Sequence, residues 1–201
     1  MDITVDMIKE LREATAAGIL NCRKALEAAE GDFDKAVDYL REKGLAKVAK
    51  RMDREANEGI VDSYIHGENR IGVLLEVNCE TDFVARTPEF RALVHDIAMQ
   101  IAALAPKYIS REDVPESVIQ RESDLYRAQA REEGKPENIL DRIVEGKIEK
   151  FYQQSCLLEQ PFIRDDSVTV DALLKEQMTK TGENMMVRRF ARYELGESLA
   201  A

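Results

Sequence analysis

The segment Asn78-Cys79-Glu80-Thr81-Asp82-Phe83-Val84-Ala85-Arg86 sets a carboxylate beside an aromatic at the end of an apolar run. A wedge of that kind can enter another protein, with the ring filling an apolar pocket and the carboxylate acting on charge at the partner's surface. Spacing by itself favours plainer roles for both groups. Thr81-Asp82 suits a helix N-cap, and a ring one residue further on can fold back into the core as well as project outward.

Covalent chemistry would need a different set of residues. The chain has no Gly-x-Gly-x-x-Gly, no phosphate-loop lysine and no serine in a Gly-x-Ser-x-Gly setting. Cys22, Cys79 and Cys156 lie far apart without a Cys-x-x-Cys spacing, and neither His66 nor His95 is close to one of them. Reduced, buried thiols are therefore expected rather than a zinc site. Carboxylate pairs such as Glu132-Glu133 and Asp165-Asp166 read as solvated surface. The expectation is a chain that is not an enzyme and holds no metal, cofactor or nucleotide of its own.

The elements that must position the Asp82-Phe83 pair can be read from periodicity. Ile71, Val73, Leu75, Val77 and Cys79 alternate with Gly72, Leu74, Glu76, Asn78 and Glu80, which predicts a strand with one buried face, over Arg70 to Cys79. Gly59 to His66 predicts its hairpin partner across Gly67-Glu68-Asn69, and Met185 to Leu195 a third strand. Within it Tyr193 reads as sheet packing and Arg188-Arg189 as surface charge. Pro88 opens a long helix whose apolar stripe is Phe90, Leu93, Val94, Ile97, Ile101 and Leu104, and Pro106 closes it. Further helices are predicted over 117–132, 136–154 and 170–181, with an irregular segment over 157–166.

Upstream, the apolar spacing predicts three short helices. The sets are Ile3, Met7, Ile8, Leu11, then Ile19, Cys22, Ala25, Leu26, Ala29, then Phe33, Ala36, Val37, Leu40, Leu45. Residues 15–18 form the first turn. Glu30-Gly31-Asp32 forms the second, with Gly31 as a left-handed cap and Asp32 as the next N-cap. The reading is α+β: residues 1–54 as a three-helix N-terminal domain with a basic linker, and residues 55–201 as a core domain with a three-stranded antiparallel sheet packed with helices.

Composition sets the outer limits. The chain has 201 residues, 44% hydrophobic, 34% charged and 6% aromatic, a balance suited to a helix-rich globular protein. No apolar run approaches the roughly 20 residues of a membrane span, and the first residues lack the basic start of a signal peptide, so a cytoplasmic location is the default expectation. The net charge is −10. Residues 1–54 carry eleven basic and eleven acidic side chains, so the excess lies in the rest, 18 basic against 28 acidic. Such a surface repels phosphates, and no direct nucleic-acid partner is expected.

Glu76 to Arg86 resembles the core motif of bacterial elongation factor Ts, the family that exchanges GDP on elongation factor Tu. Leu11 to Leu26, with Gly18-Ile19-Leu20-Asn21-Cys22-Arg23-Lys24 at its centre, is similar to the family's N-terminal signature. Leu157-Leu158-Glu159-Gln160-Pro161-Phe162 is similar to a segment near its C-terminal end. The resemblance implies that the three-helix domain is of the ubiquitin-associated (UBA-like) type. It also implies that Thr81, Asp82, Phe83 and Val84 insert into elongation factor Tu and dislodge its Mg²⁺, which reverses the weighting that spacing alone gave to Phe83.

The same resemblance makes Gly18, Ile19, Leu20 and Arg23 candidates for a second contact with that partner, although Ile19 and Leu20 could equally complete the small core. Ala16 and Arg23 depart from the commoner polar residue and lysine of the signature. His66 is the remaining candidate contact of the core domain, against the structural role usual for a histidine beside a turn. Longer members of the family carry a second copy of the strand-turn-strand unit and a coiled-coil insertion. This chain has the single copy, for which the resemblance implies a homodimer.

Two functions from different classes follow. The first is a guanine-nucleotide exchange factor acting on elongation factor Tu with GDP in translation elongation. The alternative is a dimeric interaction adaptor, without catalytic effect, that binds small protein domains through its UBA-like module.

Overall fold

The computed structural model describes residues 3–15 and 17–198. Ala16, one of the two departures from the N-terminal signature, lies outside the described residues. The chain divides into two compact units. The first holds the residues up to Gly59 together with Asn78–Thr87 and Leu174–Met186; the second holds Ile60–Val77, Pro88–Leu173 and the residues from Val187 onward.

The first unit begins with α1 (Val5–Thr15), α2 (Ile19–Ala28) and α3 (Phe33–Ala49). Their inward faces meet in a core of Leu11, Cys22, Ala25, Leu26 and Ala36, with Met7, Ile8, Phe33, Val37 and Leu40 packed around it. The turn between α2 and α3 has the predicted chemistry. Gly31 takes φ +86°, a region that costs glycine nothing, and its N–H returns to Leu26 O at 2.8 Å. Asp32 then caps α3 by accepting from Lys35 N–H at 3.0 Å, and that bond holds its carboxylate below the usual range.

The second unit holds most of β1 (Glu58–His66) and β2 (Ile71–Cys79), which form a hairpin, and β2 is the central strand of an antiparallel sheet ordered β1-β2-β5, where β5 is Met185–Glu194. The turn runs through three successive left-handed residues, Gly67, Glu68 and Asn69, at φ +60°, +54° and +66°. Along β2 the alternation holds, with Val73, Leu75, Val77 and Cys79 buried and Leu74 exposed. The one-turn helix α4 (Asp82–Ala85), which belongs to the first unit, follows β2, and α5 (Pro88–Leu104), in the second, follows that. On α5, Phe90, Leu93, Val94, Ile97 and Ile101 are buried, whereas Leu104, expected in the stripe, is exposed in the last turn before Ala105 reverses the chain at φ +44°.

Helices α6 (Glu116–Glu132) and α7 (Glu137–Ser155) form a hairpin with Gly134 at φ +73° in its loop. Arg127 with Asp141 and Arg131 with Glu137, each at 2.8 Å, link the two helices at its exposed end. The segment expected to be irregular is partly ordered: a 3-10 turn over Leu157–Glu159, then β3 (Pro161–Phe162) paired antiparallel with β4 (Asp165–Thr169). Its anchor is Gln100, fully buried within the apolar stripe of α5. Gln100 donates to Gln160 Oε1 at 3.1 Å and Pro161 O at 3.0 Å, and accepts from Ile163 N–H at 2.9 Å. A buried amide so fully used fixes register as well as position.

Helix α8 (Val170–Thr181) leads into β5. Its second half belongs to the first unit, where α3 approaches it closely: a Cβ on Gly44 would come within 3.0 Å of Thr179. In β5 the expectation for Tyr193 is corrected. It is 70% exposed rather than packed, because β5 ends at the next residue, Glu194, and the chain then turns at Gly196 with φ +86°. Arg189 ion-pairs with Glu76 on the neighbouring strand at 2.7 Å.

Candidate functional site

The Asp82-Phe83 segment is built as a turn with buried flanks and an exposed tip. Cys79 is fully buried at the end of β2 and Ala85 is 5% exposed at the end of α4. Between them Phe83 is 81% exposed. The ring is therefore not a core residue of the described chain, the role that spacing alone had favoured. A single helical turn offers too few residues for a periodicity, so spacing carries no signal of this exposure.

Thr81, not Asp82, is the cap. Its backbone is extended (φ −129°, ψ 152°) and its hydroxyl accepts from Val84 N–H at 3.4 Å. Asp82 sits in the first turn, where a negative charge favours the exposed N–H groups. Its carboxylate also meets Arg86 at 2.9 Å, one turn on. Val84 is half-buried beneath the tip. Thr87 Oγ1 donates back to Val84 O at 2.8 Å and closes the turn.

Two residues without a signal in the sequence, Glu183 and Asn184, hold this turn from below. Glu183 accepts from Thr81 N–H at 3.1 Å and from Thr81 Oγ1–H at 2.6 Å. The neighbouring Asn184 N–H donates to Glu80 Oε1 at 2.6 Å. They follow Gly182, which takes φ +81° at the end of α8, and they carry no periodic or motif signal of their own. Burial, reinforced by the Glu183 charge, pushes the Cys79 thiol from 9.0 up to about 11, so it is protonated and unreactive at neutral pH.

The second candidate contact belongs to the same unit. Gly18 is the N-cap residue of α2, and Ile19 and Leu20 in its first turn are 56% and 74% exposed while Cys22, Ala25 and Leu26 point inward. Ile19 and Leu20 are thus surface residues and do not complete the bundle core. Arg23 is exposed and ion-pairs with Glu27 at 2.8 Å.

His66 belongs to the other unit. Its Nδ1 lies 3.0 Å from the Tyr64 hydroxyl, the two rings stack, and Tyr64 in turn meets the edge of His95, whose Nδ1 is 3.7 Å from Asp62. An open cleft of about 420 Å³ in that unit is lined by Ser110, Arg111, Glu149, Glu159 and Asp171. Arg111 is already engaged by Glu149 at 3.1 Å and Glu159 at 2.7 Å and lies over the Tyr152 ring. An arginine so neutralised is poorly placed to receive a phosphate.

Taken together, the fold and this turn define a two-unit α+β protein that presents an anchored aromatic beside a carboxylate. A sequence model of the family described as Elongation factor TS matches residues 3–197. Among curated relatives, Elongation factor Ts of Caldanaerobacter subterraneus subsp. tengcongensis is 60% identical over 197 residues, covering 98% of each chain. That of Carboxydothermus hydrogenoformans is 58% identical over 98% of this chain and 91% of its own. That of Coprothermobacter proteolyticus is 55% identical over 98% of this chain and 100% of its own. The chain belongs to the elongation factor Ts family, and so to the translation elongation factors. Among the described residues no helix is long and apolar enough to cross a membrane.

Proposed function

We propose that this chain is a guanine-nucleotide exchange factor for elongation factor Tu, promoting GDP release by inserting Thr81–Val84 and dislodging the partner's Mg²⁺. The observation that carries the reading is Phe83, 81% exposed on a turn whose flanks are buried. An exchange factor must offer a partner interactions that exist only in its nucleotide-loosened state, since a ligand shifts an equilibrium only by its differential affinity. By linkage, GDP weakens the factor as much as the factor weakens GDP, so binding is transient and turnover follows. Burying an aromatic ring contributes roughly 1.5 to 3 kcal/mol. Several contacts are thus needed against a tightly held nucleotide, and Ile19 and Leu20, with Gly18 and Arg23 beside them, supply the second set.

Asp82 brings a negative charge to the same place. Its effect on a magnesium-phosphate arrangement is strongest where Phe83 has excluded water. In the free chain Arg86 holds that carboxylate at 2.9 Å, so insertion exchanges or carries along an existing partner. Residues 1–54 act in this account as the partner-binding module and residues 55–201 as the dimerising core.

The second copy of this chain seats on the outer face of the sheet. Val61, Ile65 and Leu74 are 61%, 59% and 53% exposed, and Gly72 lies against Ile65 on the same side, leaving an apolar patch suited to its own symmetry mate. His66 stacks on Tyr64 and lies with it on the opposite face of β1, so it is not part of this patch. Light scattering at micromolar concentration should give the mass of a dimer, and Leu74→Asp the mass of a monomer; a monomeric wild type rejects this part.

Stopped-flow release of labelled GDP from purified elongation factor Tu, with and without the chain, tests the function itself. Acceleration is expected. An adaptor that binds small domains through the three-helix module leaves the rate unchanged.

A further inference from the structure

We propose that Glu183 and Asn184 are positioning residues for Phe83, a dipeptide that fixes both the Thr81 turn and the segment that follows the three-helix module. The proposal rests on the reading of Phe83 as the inserted group.

A four-residue helix lacks the means to hold itself. Nucleating one helical turn is unfavourable in isolation, and an aromatic that is 81% exposed contributes almost nothing to holding it. The buried flanks Cys79 and Ala85 fix where the turn begins and ends, not how its tip is oriented.

Glu183 supplies the orientation. An ionised carboxylate only accepts hydrogen bonds, so both hydrogens that meet it come from Thr81, from the N–H at 3.1 Å and from the hydroxyl at 2.6 Å. A hydroxyl has one proton. Committing it to Glu183 turns an oxygen lone pair toward Val84 N–H, 3.4 Å away, which is the capping bond of the turn. Glu183 thus sets the rotor that sets the cap, and the cap sets the direction of Phe83.

One residue on, the exchange runs the other way. Asn184 N–H donates to Glu80 Oε1 at 2.6 Å, so each of the two dipeptides, Glu80-Thr81 and Glu183-Asn184, gives one backbone N–H to the other's carboxylate. Asn184 is 4% exposed, and its side-chain nitrogen donates to Met52 O at 3.1 Å and Arg54 O at 2.7 Å. Arg54 completes the arrangement 3.5 Å from Glu80. The basic stretch after α3 is therefore tied to the same dipeptide as the turn, and nearby Arg51 reaches Met178 O at 3.5 Å. Ordering these groups before binding lowers the conformational cost of inserting Phe83.

The sequence contains no tryptophan, so Phe83→Trp places a single fluorescent reporter on the turn. In that background Glu183→Ala should lower the anisotropy of the introduced indole and Glu183→Gln should lower it less, with far-ultraviolet circular dichroism unchanged. Glu176→Gln on α8 should have no effect. With the native Phe83, release of labelled GDP should slow about tenfold for Glu183→Ala and about threefold for Glu183→Gln, which keeps one acceptor and turns an N–H₂ against a donor. In the Phe83→Ala background Glu183→Gln should cost nothing further, because its effect passes through the ring.

If Glu183→Ala fails to fold, Glu183→Gln and Thr81→Val, which removes only the hydroxyl, carry the test. Unchanged anisotropy in the folded Glu183 variants, or a Glu183 effect that adds in full to that of Phe83→Ala, overturns the proposal. A Phe83→Ala variant that releases GDP at the wild-type rate refutes the reading of Phe83 instead, and the anisotropy still decides whether Glu183 holds the turn.

Discussion

Phe83 and the Ile19-Leu20 pair are both exposed apolar groups of the same compact unit, yet they are held in different ways. Ile19 and Leu20 ride on the outward side of a helix whose inward side is the bundle core, so the same ten residues, Ile19–Ala28, carry surface and stability. Phe83 rides on a turn of four, fastened by the Glu183 carboxylate from another part of the chain. In the first region the helix that carries the exposed face also builds the core, so folding alone fixes its backbone. In the second the backbone is fixed by hydrogen bonds from outside the turn, an arrangement that suits a group proposed to enter a partner.

The largest effect that probes this contrast is in the bundle. Leu26 is fully buried, and Leu26→Ala should cost about 2 to 5 kcal/mol, as much as so small a module holds. Thermal melts followed by circular dichroism should lose a helical transition while the rest of the chain stays folded. An unaltered melt would break the comparison at its base.

Next in size is Ile19→Ala with Leu20→Ala. At 56% and 74% exposure the pair should leave the melt within about 0.5 kcal/mol and weaken partner binding about tenfold. The loss should appear in the concentration needed for half-maximal GDP release, not in the maximal rate. A smaller effect, about threefold on the maximal rate, is expected of Asp82→Asn, and it should vanish when Mg²⁺ is chelated. Persistence of the loss without Mg²⁺ would move Asp82 from the ion to the cap.

The smallest effects concern the thiols. Burial raises Cys79 in the first unit and Cys156 in the second from 9.0 to about 11. A folded value above the unfolded one gives stability that is complete below pH 9 and is lost as pH rises through about 11. Cys79→Ser should flatten that alkaline decline relative to wild type, read as the melting temperature against pH between 9 and 11.

Much of the fold was legible because it repeats. Five alternating residues announced β2, and the apolar stripe announced α5 from Pro88 to Leu104. Gly31 and Asp32 marked a turn by chemistry that few other residues supply. What escaped had no period. The two-residue strand Pro161–Phe162 is too short to alternate, and Gln100 hides in an apolar stripe as if it were a surface residue.

At the site the motif itself could be found, but its exposure and its support could not. Glu183 lies 102 residues from Thr81, and a lone glutamate after a helix looks like any other charged surface residue. Only the fold shows that its two oxygens are spoken for.

Under the proposed function, Phe83 accelerates release without holding the fold together. The most direct measurement compares wild type and Phe83→Ala, both folded by circular dichroism, at concentrations saturating labelled GDP release from elongation factor Tu. The account predicts a maximal rate lower by about tenfold or more, from a ring worth roughly 1.5 to 3 kcal/mol in the inserted state, with a melt unchanged within about 0.5 kcal/mol. A variant that releases GDP as fast as wild type would contradict it.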